Sequence, residues 1–189
     1  MKIAITGGIG SGKSYVCRLL RQRGIEVYDC DTAAKRLMLT SDHLKKRLCA
    51  LIGPDAYTAD EQLDKAVVAR FLLQSEDNAK AIDAIVHPAV AADFKASGNQ
   101  WMECAILFES GFERLVDCVI AVTAPEQIRI ERIVRRDGIS HEKAQEWLNR
   151  QWPQDKVRCH ADYEIINDGR PLKPQLDTIL NHIDKQQTK

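Results

Sequence analysis

The sequence predicts an α/β fold built on a five-stranded parallel sheet, and three observations support this prediction. The 189 residues suit one domain, and 44% of them are hydrophobic, which is enough for a sizeable core. Short, continuously apolar runs recur along the chain, as in strands that are covered on both faces. Helical segments separate these runs, beginning with a strand–helix–strand order over residues 3–28 that implies parallel pairing.

The first strand–helix–strand unit can be followed along the chain. Residues 3–6 form a short apolar run that predicts a buried strand. A helix is expected over 13–23, where apolar residues recur at helical spacing, and Gly24 is a suitable stop. Residues 25–28 predict the second strand, which ends at Asp29-Cys30-Asp31.

The rest of the chain alternates between helical and strand segments. Residues 32–98 are expected to be helical throughout, with an interruption at His87-Pro88, because proline ends one helix or starts the next. The later expected elements are strands at 102–108, 118–123 and 163–166, a charged helical segment at 125–151 with a turn at Asp137-Gly138, and a last helix carrying Leu172, Leu176, Ile179, Leu180 and Ile183 on one stripe. We therefore expect one domain over 1–189, with its core formed by 1–31, 99–124 and 155–189, an inserted helical region at 32–98 and a second helical segment at 125–154.

Composition argues against several classes of protein. Lys plus Arg and Asp plus Glu each number 27, and a formal net charge of zero argues against a general binder of nucleic acids or membrane surfaces. The six cysteines include no C-x-x-C pair and none lies close to two histidines, which predicts reduced thiols. We find no secretory signal and no apolar stretch near the ~20 residues of a membrane span. The sequence therefore predicts a soluble cytoplasmic protein.

A glycine-rich motif follows the first predicted strand. Residues 7–14, GGIGSGKS, fit the pattern G-x-x-x-x-G-K-[ST]. Glycines let successive backbone N–H groups turn inward around an anion, and the following helix adds its positive N-terminal end. Lys13 would reach the β- and γ-phosphates of a nucleotide, and Ser14 would hold Mg²⁺. The alternative is an ordinary glycine-rich turn, but the strand before and the helix after favour a site for a nucleoside triphosphate.

The kind of nucleotide-binding protein can be narrowed further. No Asn-Lys-x-Asp stretch, which would read guanine, is present in the sequence. Large motor-type ATPases need longer chains. A short chain with helical insertions favours a small-molecule kinase.

Carboxylates follow two of the predicted strands. Asp29 and Asp31 end the second strand, and the carboxyl ends of parallel strands face the ligand crevice. Asp31 is either a base that accepts a proton from an acceptor hydroxyl or the cap of the next helix, and the neighbouring glycine-rich motif favours the base. Glu103 and Glu109 flank the third apolar run, where a carboxylate either orients Mg²⁺ through water or simply ends a strand. We retain Glu109 as the candidate.

Arginines and a histidine complete the set of candidate residues. Arg129, Arg132, Arg135 and Arg136 fall within an arc roughly 120° wide on a predicted helix. Such an arc is usually a solvated face. In a kinase it can instead be a lid that stabilises the transferring phosphoryl group, with Arg136 as the best candidate and Arg132 the next. His87 is either structural or close to an acceptor substrate.

The ordered combination of these stretches resembles the dephospho-CoA kinase family. The resemblance rests on TGGIGSGKS at 6–14, VYDCD at 27–31, HP at 87–88, ILFESG at 106–111, RRDG at 135–138, Gln151 and ADYEIINDG at 161–169. It spans nearly the whole chain, and the order carries the specificity because many kinases share the glycine-rich motif. Three residues depart from the family's usual pattern: Tyr15 replaces Thr, Ala105 replaces Pro and Lys65 replaces Arg. The last departure alters one substrate contact, because lysine cannot form arginine's bidentate fork.

The resemblance implies a fold similar to that of the nucleoside monophosphate kinases. A P-loop kinase core of five parallel strands flanked by helices would carry a helical acceptor-substrate region at 32–98 and a lid at 125–154. ATP would be the phosphoryl donor, Mg²⁺ the metal and the ribose 3′-hydroxyl of dephospho-CoA the acceptor. These substrates imply no nucleic-acid or membrane partner, and the chain would be a monomer or a small homo-oligomer.

The resemblance also implies roles for individual residues. Asp31 would orient or deprotonate the acceptor hydroxyl, and Lys13 and Arg136 would stabilise the transferring phosphoryl group. The implied ATP-binding residues are Gly8, Gly10, Ser11, Gly12, Lys13, Ser14, Tyr15, Arg132, Asn167 and Gly169, with Ser14 also on the metal. The implied acceptor-binding residues are Asp31, Lys65, His87 and Glu109.

Two other functions remain open on the sequence alone. One is a small kinase of the same fold that acts on a nucleotide or on a shikimate-like alcohol. The other is a P-loop sensor that binds a nucleotide and signals by a change of shape. The sensor needs neither an acceptor site nor a base, so Asp31 and the arginine arc argue against it.

Overall fold

A five-stranded sheet organises the chain in the computed structural model, which describes residues 1–187. The strands are β1 (Ile3–Thr6), β2 (Val27–Asp29), β3 (Trp101–Glu103), β4 (Cys118–Thr123) and β5 (Tyr163–Ile166). Their order across the sheet is β2-β3-β1-β4-β5, and β1 pairs in parallel with both β3 and β4. The predicted α/β class and its five parallel strands are confirmed.

Helices connect the strands, and their bounds are as follows. The sequence runs through α1 (Lys13–Arg21), α2 (Cys30–Thr40), α3 (Asp42–Ile52), α4 (Lys65–Gln74), α5 (Glu76–Ser97), α6 (Glu126–Asp137), α7 (His141–Asn149), α8 (Gln154–Cys159) and α9 (Leu172–Gln187). Short 3₁₀ turns occupy Pro54–Ala56 and Phe112–Leu115. In the part of the chain that the structure describes, no helix is long and apolar enough to cross a membrane.

The chain divides into two compact units. One consists of residues 1–28 together with the chain from Asn99 onward, and the other is Asp29–Gly98. In the first unit, alternate residues of β1 and β4, such as Ile5 and Ile120, pack against Leu20 of α1 and Leu176 of α9. Each such buried side chain contributes about 1.5–3 kcal/mol relative to an exposed one. This core fixes the carboxyl edge of the sheet, from which the loop after β1 emerges.

The unit formed by Asp29–Gly98 is helical. Helix α5 packs against α2, α3 and α4, and its buried side chains include Val90 and Phe94. An ion pair of 2.6 Å between Arg36 and Asp93 also joins α2 to α5. The predicted helical character is confirmed for most of the unit. Residues 57–64 are an exception, because an antiparallel bridge between Tyr57 and Leu63 forms a turn there.

Two other element predictions are wrong. Helix α5 continues through Pro88, so no break occurs at His87-Pro88. Proline removes one backbone donor, and the packing of α5 on three helices outweighs that loss. The third strand ends at Glu103 and not at residue 108, because residues 105–110 form turns that bury Leu107. Periodicity does not distinguish a short apolar strand from a buried apolar turn. Helix α8, which lies against β4, was also not expected.

Candidate active site

The glycine-rich loop at residues 7–12 joins β1 to α1, as the motif predicts. Gly7, Gly10 and Gly12 have positive φ angles of 139°, 78° and 100°, which side chains rarely adopt. A Cβ at Gly10 would lie 2.7 Å from the Arg129 carbonyl oxygen, and one at Gly12 would clash with the Asn167 amide. Glycine is therefore required both for the path of the loop and for the approach of its neighbours.

Gly7→Ala should destabilise the protein more than Gly24→Ala. Both residues have positive φ, so each substitution costs about 1–2 kcal/mol of backbone strain. A Cβ at Gly7 would also clash with the backbone oxygen of Val122, whereas Gly24 faces open space. We expect Gly7→Ala to cost about 1–3 kcal/mol more, measured as a lower midpoint of thermal unfolding. Equal midpoints for the two variants would contradict this packing argument.

Lys13 is buried beneath the loop that precedes it. Its Nζ donates to the Gly7 carbonyl at 2.7 Å and lies 4.0 Å from Oε1 of Glu103. Burial lowers the pKa of Lys13, and the Glu103 charge opposes that shift. The ammonium group is therefore held among loop carbonyls and one carboxylate at the place where the motif predicts phosphates.

The structure brings Glu103, and not the retained candidate Glu109, next to Lys13. Glu103 ends β3 and is in register with Ile5 of β1, directly before the loop. Glu109 is exposed and accepts a hydrogen bond of 2.9 Å from the Trp152 backbone N–H. The sequence could have indicated Glu103, because the carboxyl ends of parallel strands lie along one edge of the sheet. Glu109 was preferred because the third strand was predicted to continue to residue 108, which would place Glu109 at its carboxyl end.

Two side chains hold the backbone of Ile9, at the turn of the loop. Arg129 Nε donates to the Ile9 carbonyl at 2.9 Å, and Gln151 Oε1 accepts from the Ile9 N–H at 2.7 Å. Arg129 is only 5% exposed. A solvated face is therefore the wrong interpretation for Arg129, which belongs to the arginine arc but was not one of its two preferred candidates. Gln151 was predicted only as part of the family resemblance.

The next two loop residues are held by Arg132 and Asn167. Arg132 Nη1 donates to the carbonyls of Gly10 and Ser11 at 3.2 and 3.3 Å, and its Nη2 donates to Asn167 Oδ1 at 3.1 Å. Asn167 Nδ2 donates to the Ser11 carbonyl at 2.8 Å. The structure therefore brings together the loop, Arg132 of α6 and the segment after β5, although these lie far apart in sequence.

Arg136 lies on the same helix but away from these contacts. It is exposed, and its guanidinium pairs with the neighbouring Asp137 carboxylate at 2.7 Å. This pair lowers the pKa of Asp137. Arg135 is also exposed, so both arginines lie on the solvent-facing side of α6.

A cleft of about 390 Å³ adjoins the loop. Its lining residues are Gly12, Tyr15, Arg132, Asn167, Gly169, Arg170, Pro171 and Leu172. Tyr15 is 47% exposed, and the Arg18 guanidinium lies 5.7 Å from the centre of its ring. Ser14, on the same first turn of α1, is exposed. Five of the residues predicted to bind ATP therefore line one cleft, namely Gly12, Tyr15, Arg132, Asn167 and Gly169.

The other unit carries the candidates at the start of α2. Asp29, and not Asp31, caps this helix by accepting a hydrogen bond of 2.9 Å from the Thr32 N–H. Asp31 is exposed, and its carboxylate pairs with Lys35, one turn later, at 2.5 Å. This contact raises the pKa of Lys35. The capping alternative for Asp31 is thereby removed.

The remaining candidates lie on α4 and α5 of this unit. Lys65 is exposed at the first position of α4, directly after Asp64, which caps that helix. His87 lies in the middle of α5, with its Nε2 3.4 Å from Oδ1 of Asp83. Among the side chains that the structure describes, no group of three or more His, Cys, Asp or Glu residues could hold a metal ion.

The parallel sheet, the glycine-rich loop and the buried Lys13 define a nucleotide-binding protein of the P-loop kinase fold. The model of the family described as dephospho-CoA kinase matches residues 1–172. The chain belongs to the dephospho-CoA kinase family, so the resemblance of its motifs is confirmed.

Individual relatives agree with this assignment. The dephospho-CoA kinase of Porphyromonas gingivalis is 42% identical over 193 residues, covering 96% of this chain and 93% of the relative. The dephospho-CoA kinase of Bacteroides fragilis strain YCH46 is 39% identical over 188 residues, covering 93% and 89%. The solved structure of dephospho-CoA kinase from Campylobacter jejuni superposes with a TM-score of 0.68 at 21% identity, covering 99% and 100%, and supports the fold.

Proposed function

We propose that this protein transfers the γ-phosphoryl group of ATP to the ribose 3′-hydroxyl of dephospho-CoA. The products are ADP and CoA, so the reaction is the last step of coenzyme A synthesis. The observation that carries the proposal is the buried Lys13 within the glycine-rich loop of a chain that belongs to this family. The region 32–98 binds the acceptor in this proposal, and 125–154 is the lid.

The loop and the adjoining cleft form the donor site. Backbone N–H groups of Gly8–Ser14 surround the phosphates, and Lys13 exchanges its bonds to loop carbonyls for β- and γ-phosphate oxygens. The adenosine lies in the cleft beside Tyr15, Asn167 and Gly169. Arg136 turns toward the transferring group, since an exposed pair with its neighbour Asp137 restrains it only weakly.

The oxygen donors near Lys13 suit Mg²⁺. The Ser14 hydroxyl and the Glu103 carboxylate are hard oxygen ligands, the kind that Mg²⁺ prefers. Mg²⁺ usually keeps several waters, so it would be held here by one or two protein groups together with substrate phosphates. When bound, it neutralises charge on the β- and γ-phosphate oxygens. Oε1 of Glu109 accepts a hydrogen bond from the Trp152 N–H. We therefore propose Glu109 as a contact of the acceptor substrate and not as a metal ligand.

Asp31 is the proposed base. Its carboxylate is exposed and is not consumed by helix capping, so it is available to orient the acceptor hydroxyl and receive its proton. Lys65 and His87 are proposed acceptor contacts on the same unit. Lysine at residue 65 offers a point charge to an acceptor phosphate.

A product assay tests the proposed reaction directly. Purified protein with ATP, Mg²⁺ and dephospho-CoA should form ADP and CoA in equal amounts, followed by mass spectrometry, and the Lys13→Ala variant should form almost none. Shikimate and nucleosides serve as competing acceptors in the same assay. Preferred phosphorylation of one of them would favour another small kinase, and ATP binding without transfer to any alcohol would favour a sensor.

A further inference from the structure

One mostly buried arginine beside the loop forms no ion pair among the described residues. Arg129 is 5% exposed, and its Nε donates to the Ile9 carbonyl. Among the described residues, that carbonyl is its hydrogen-bond partner, and no carboxylate lies within ion-pair distance of its guanidinium. Withdrawing a cation from water without an ion pair is costly, so this arrangement favours an anionic ligand beside Arg129.

The loop is shaped to admit this guanidinium. Gly8 does not have a positive φ, so its backbone path does not require glycine. A Cβ at Gly8 would instead clash with Nη2 of Arg129. The absence of a side chain at residue 8 therefore serves the approach of Arg129 to the loop.

The positive charges of Arg129 and Lys13 both lie beside the glycine-rich loop. Burial is the main cause of the lowered pKa of Lys13, and the charge of Arg129 lowers it further. Burial also lowers the pKa of Arg129 itself, with Glu126 opposing that shift. Two cations thus lie by the loop, with Glu103 beside Lys13 and the exposed Glu126 three residues before Arg129. The charge of Glu126 is screened by solvent, so it neutralises Arg129 only in part.

We propose that Arg129 is a positioning residue that holds the loop through Ile9 and supplies a built-in positive charge, which a bound triphosphate neutralises. The proposal rests on the proposed function, in which the loop binds the phosphates of ATP. It extends that function because it makes Arg129 responsible for a preference for nucleoside triphosphates over nucleotides with fewer charges. It also predicts an unusual combination: Arg129 strengthens triphosphate binding but destabilises the protein without a ligand.

Thermal unfolding and binding measurements separate these two effects. Arg129→Gln removes the charge but keeps a hydrogen-bond donor. We expect its Tm without ligand to equal or exceed that of the wild type, while its affinity for ATP and for inorganic tripolyphosphate falls about tenfold. The affinity for AMP should fall less, because AMP carries fewer charges. The kcat at saturating ATP should change less than KM.

Two further variants serve as controls. Arg129→Lys keeps the charge but not the geometry of Nε, so it should retain tripolyphosphate affinity to within about threefold while lowering the Tm without ligand. Arg158→Gln removes an exposed arginine of α8, outside the lid, and should change neither quantity.

The outcomes distinguish the inference from the proposed function. A lower Tm without ligand and an unchanged tripolyphosphate affinity in Arg129→Gln would make Arg129 a structural brace only and overturn the inference. That result leaves the proposed function intact if the wild type forms CoA. If the wild type binds neither ATP nor tripolyphosphate, the proposed function and the inference fail together.

Discussion

Lys13→Ala is expected to lower kcat/KM for ATP by about 10³-fold. The Lys13 ammonium is buried under the loop and bonded to the Gly7 carbonyl, so it already lies at the loop before a nucleotide binds. In the proposed reaction its charge would meet the phosphoryl oxygens, where negative charge accumulates, in surroundings with little water, and such contacts have large effects on rate. Steady-state CoA formation at several ATP concentrations measures the loss.

The loss in Lys13→Ala should not come from unfolding. Because burial disfavours the charged form of Lys13, removing it relieves a cost in the free protein. We therefore expect a native circular dichroism spectrum and a Tm close to that of the wild type. Lys46→Ala, which removes an exposed lysine of α3, is the matched control and should retain full activity. Near-normal kcat/KM in folded Lys13→Ala would remove Lys13 from the proposed mechanism.

Asp31→Asn is expected to lower kcat by roughly 10²-fold or more while KM for ATP stays nearly constant. Asparagine has almost the same shape but cannot accept the acceptor's proton. Helix α2 should keep its stability, because Asp29 supplies its cap. Single-turnover phosphoryl transfer, with ATP binding measured separately by calorimetry, distinguishes lost chemistry from lost binding.

Asp77→Asn is the matched control for Asp31→Asn. Both aspartates are exposed in the first turn of a helix in the unit Asp29–Gly98, and both pair with a lysine one turn later, Lys35 for Asp31 and Lys80 for Asp77. Loss of a surface ion pair alone would affect the two variants equally. If Asp31→Asn retains the turnover of Asp77→Asn, Asp31 is not the base.

The sequence predicted most strands because their apolar runs are continuous. Every residue of β1 and β4 is buried, so these runs have no alternative place on the surface. The prediction was wrong where the same local sequence pattern is compatible with two different backbone conformations. The apolar residues after Glu103 form a turn that buries Leu107, and Pro88 sits inside α5, which packs on three other helices. In both places packing decided the local conformation.

The candidate site also contains residues that the sequence predicted and residues that only the tertiary structure brought to it. The loop at 7–14 was predicted residue by residue, because its chemistry depends on consecutive residues and on the strand and helix beside it. Glu103, Arg129 and Gln151 come from distant parts of the chain, and their approach to the loop depends on strand register and helix packing. No local pattern encodes such distances.

The amino-acid sequence alone determined the fold class, the phosphate-binding loop and, through the order of its motifs, the family. These properties are carried by neighbouring residues, whose spacing is fixed by the covalent chain. The tertiary structure alone decided that Glu103 lies beside Lys13, that Asp29 caps α2 in place of Asp31, and that a buried arginine supports the loop. These outcomes depend on which distant side chains the folded core brings into contact. Burial then shifts the pKa values of these side chains and limits their contact with solvent and ligands.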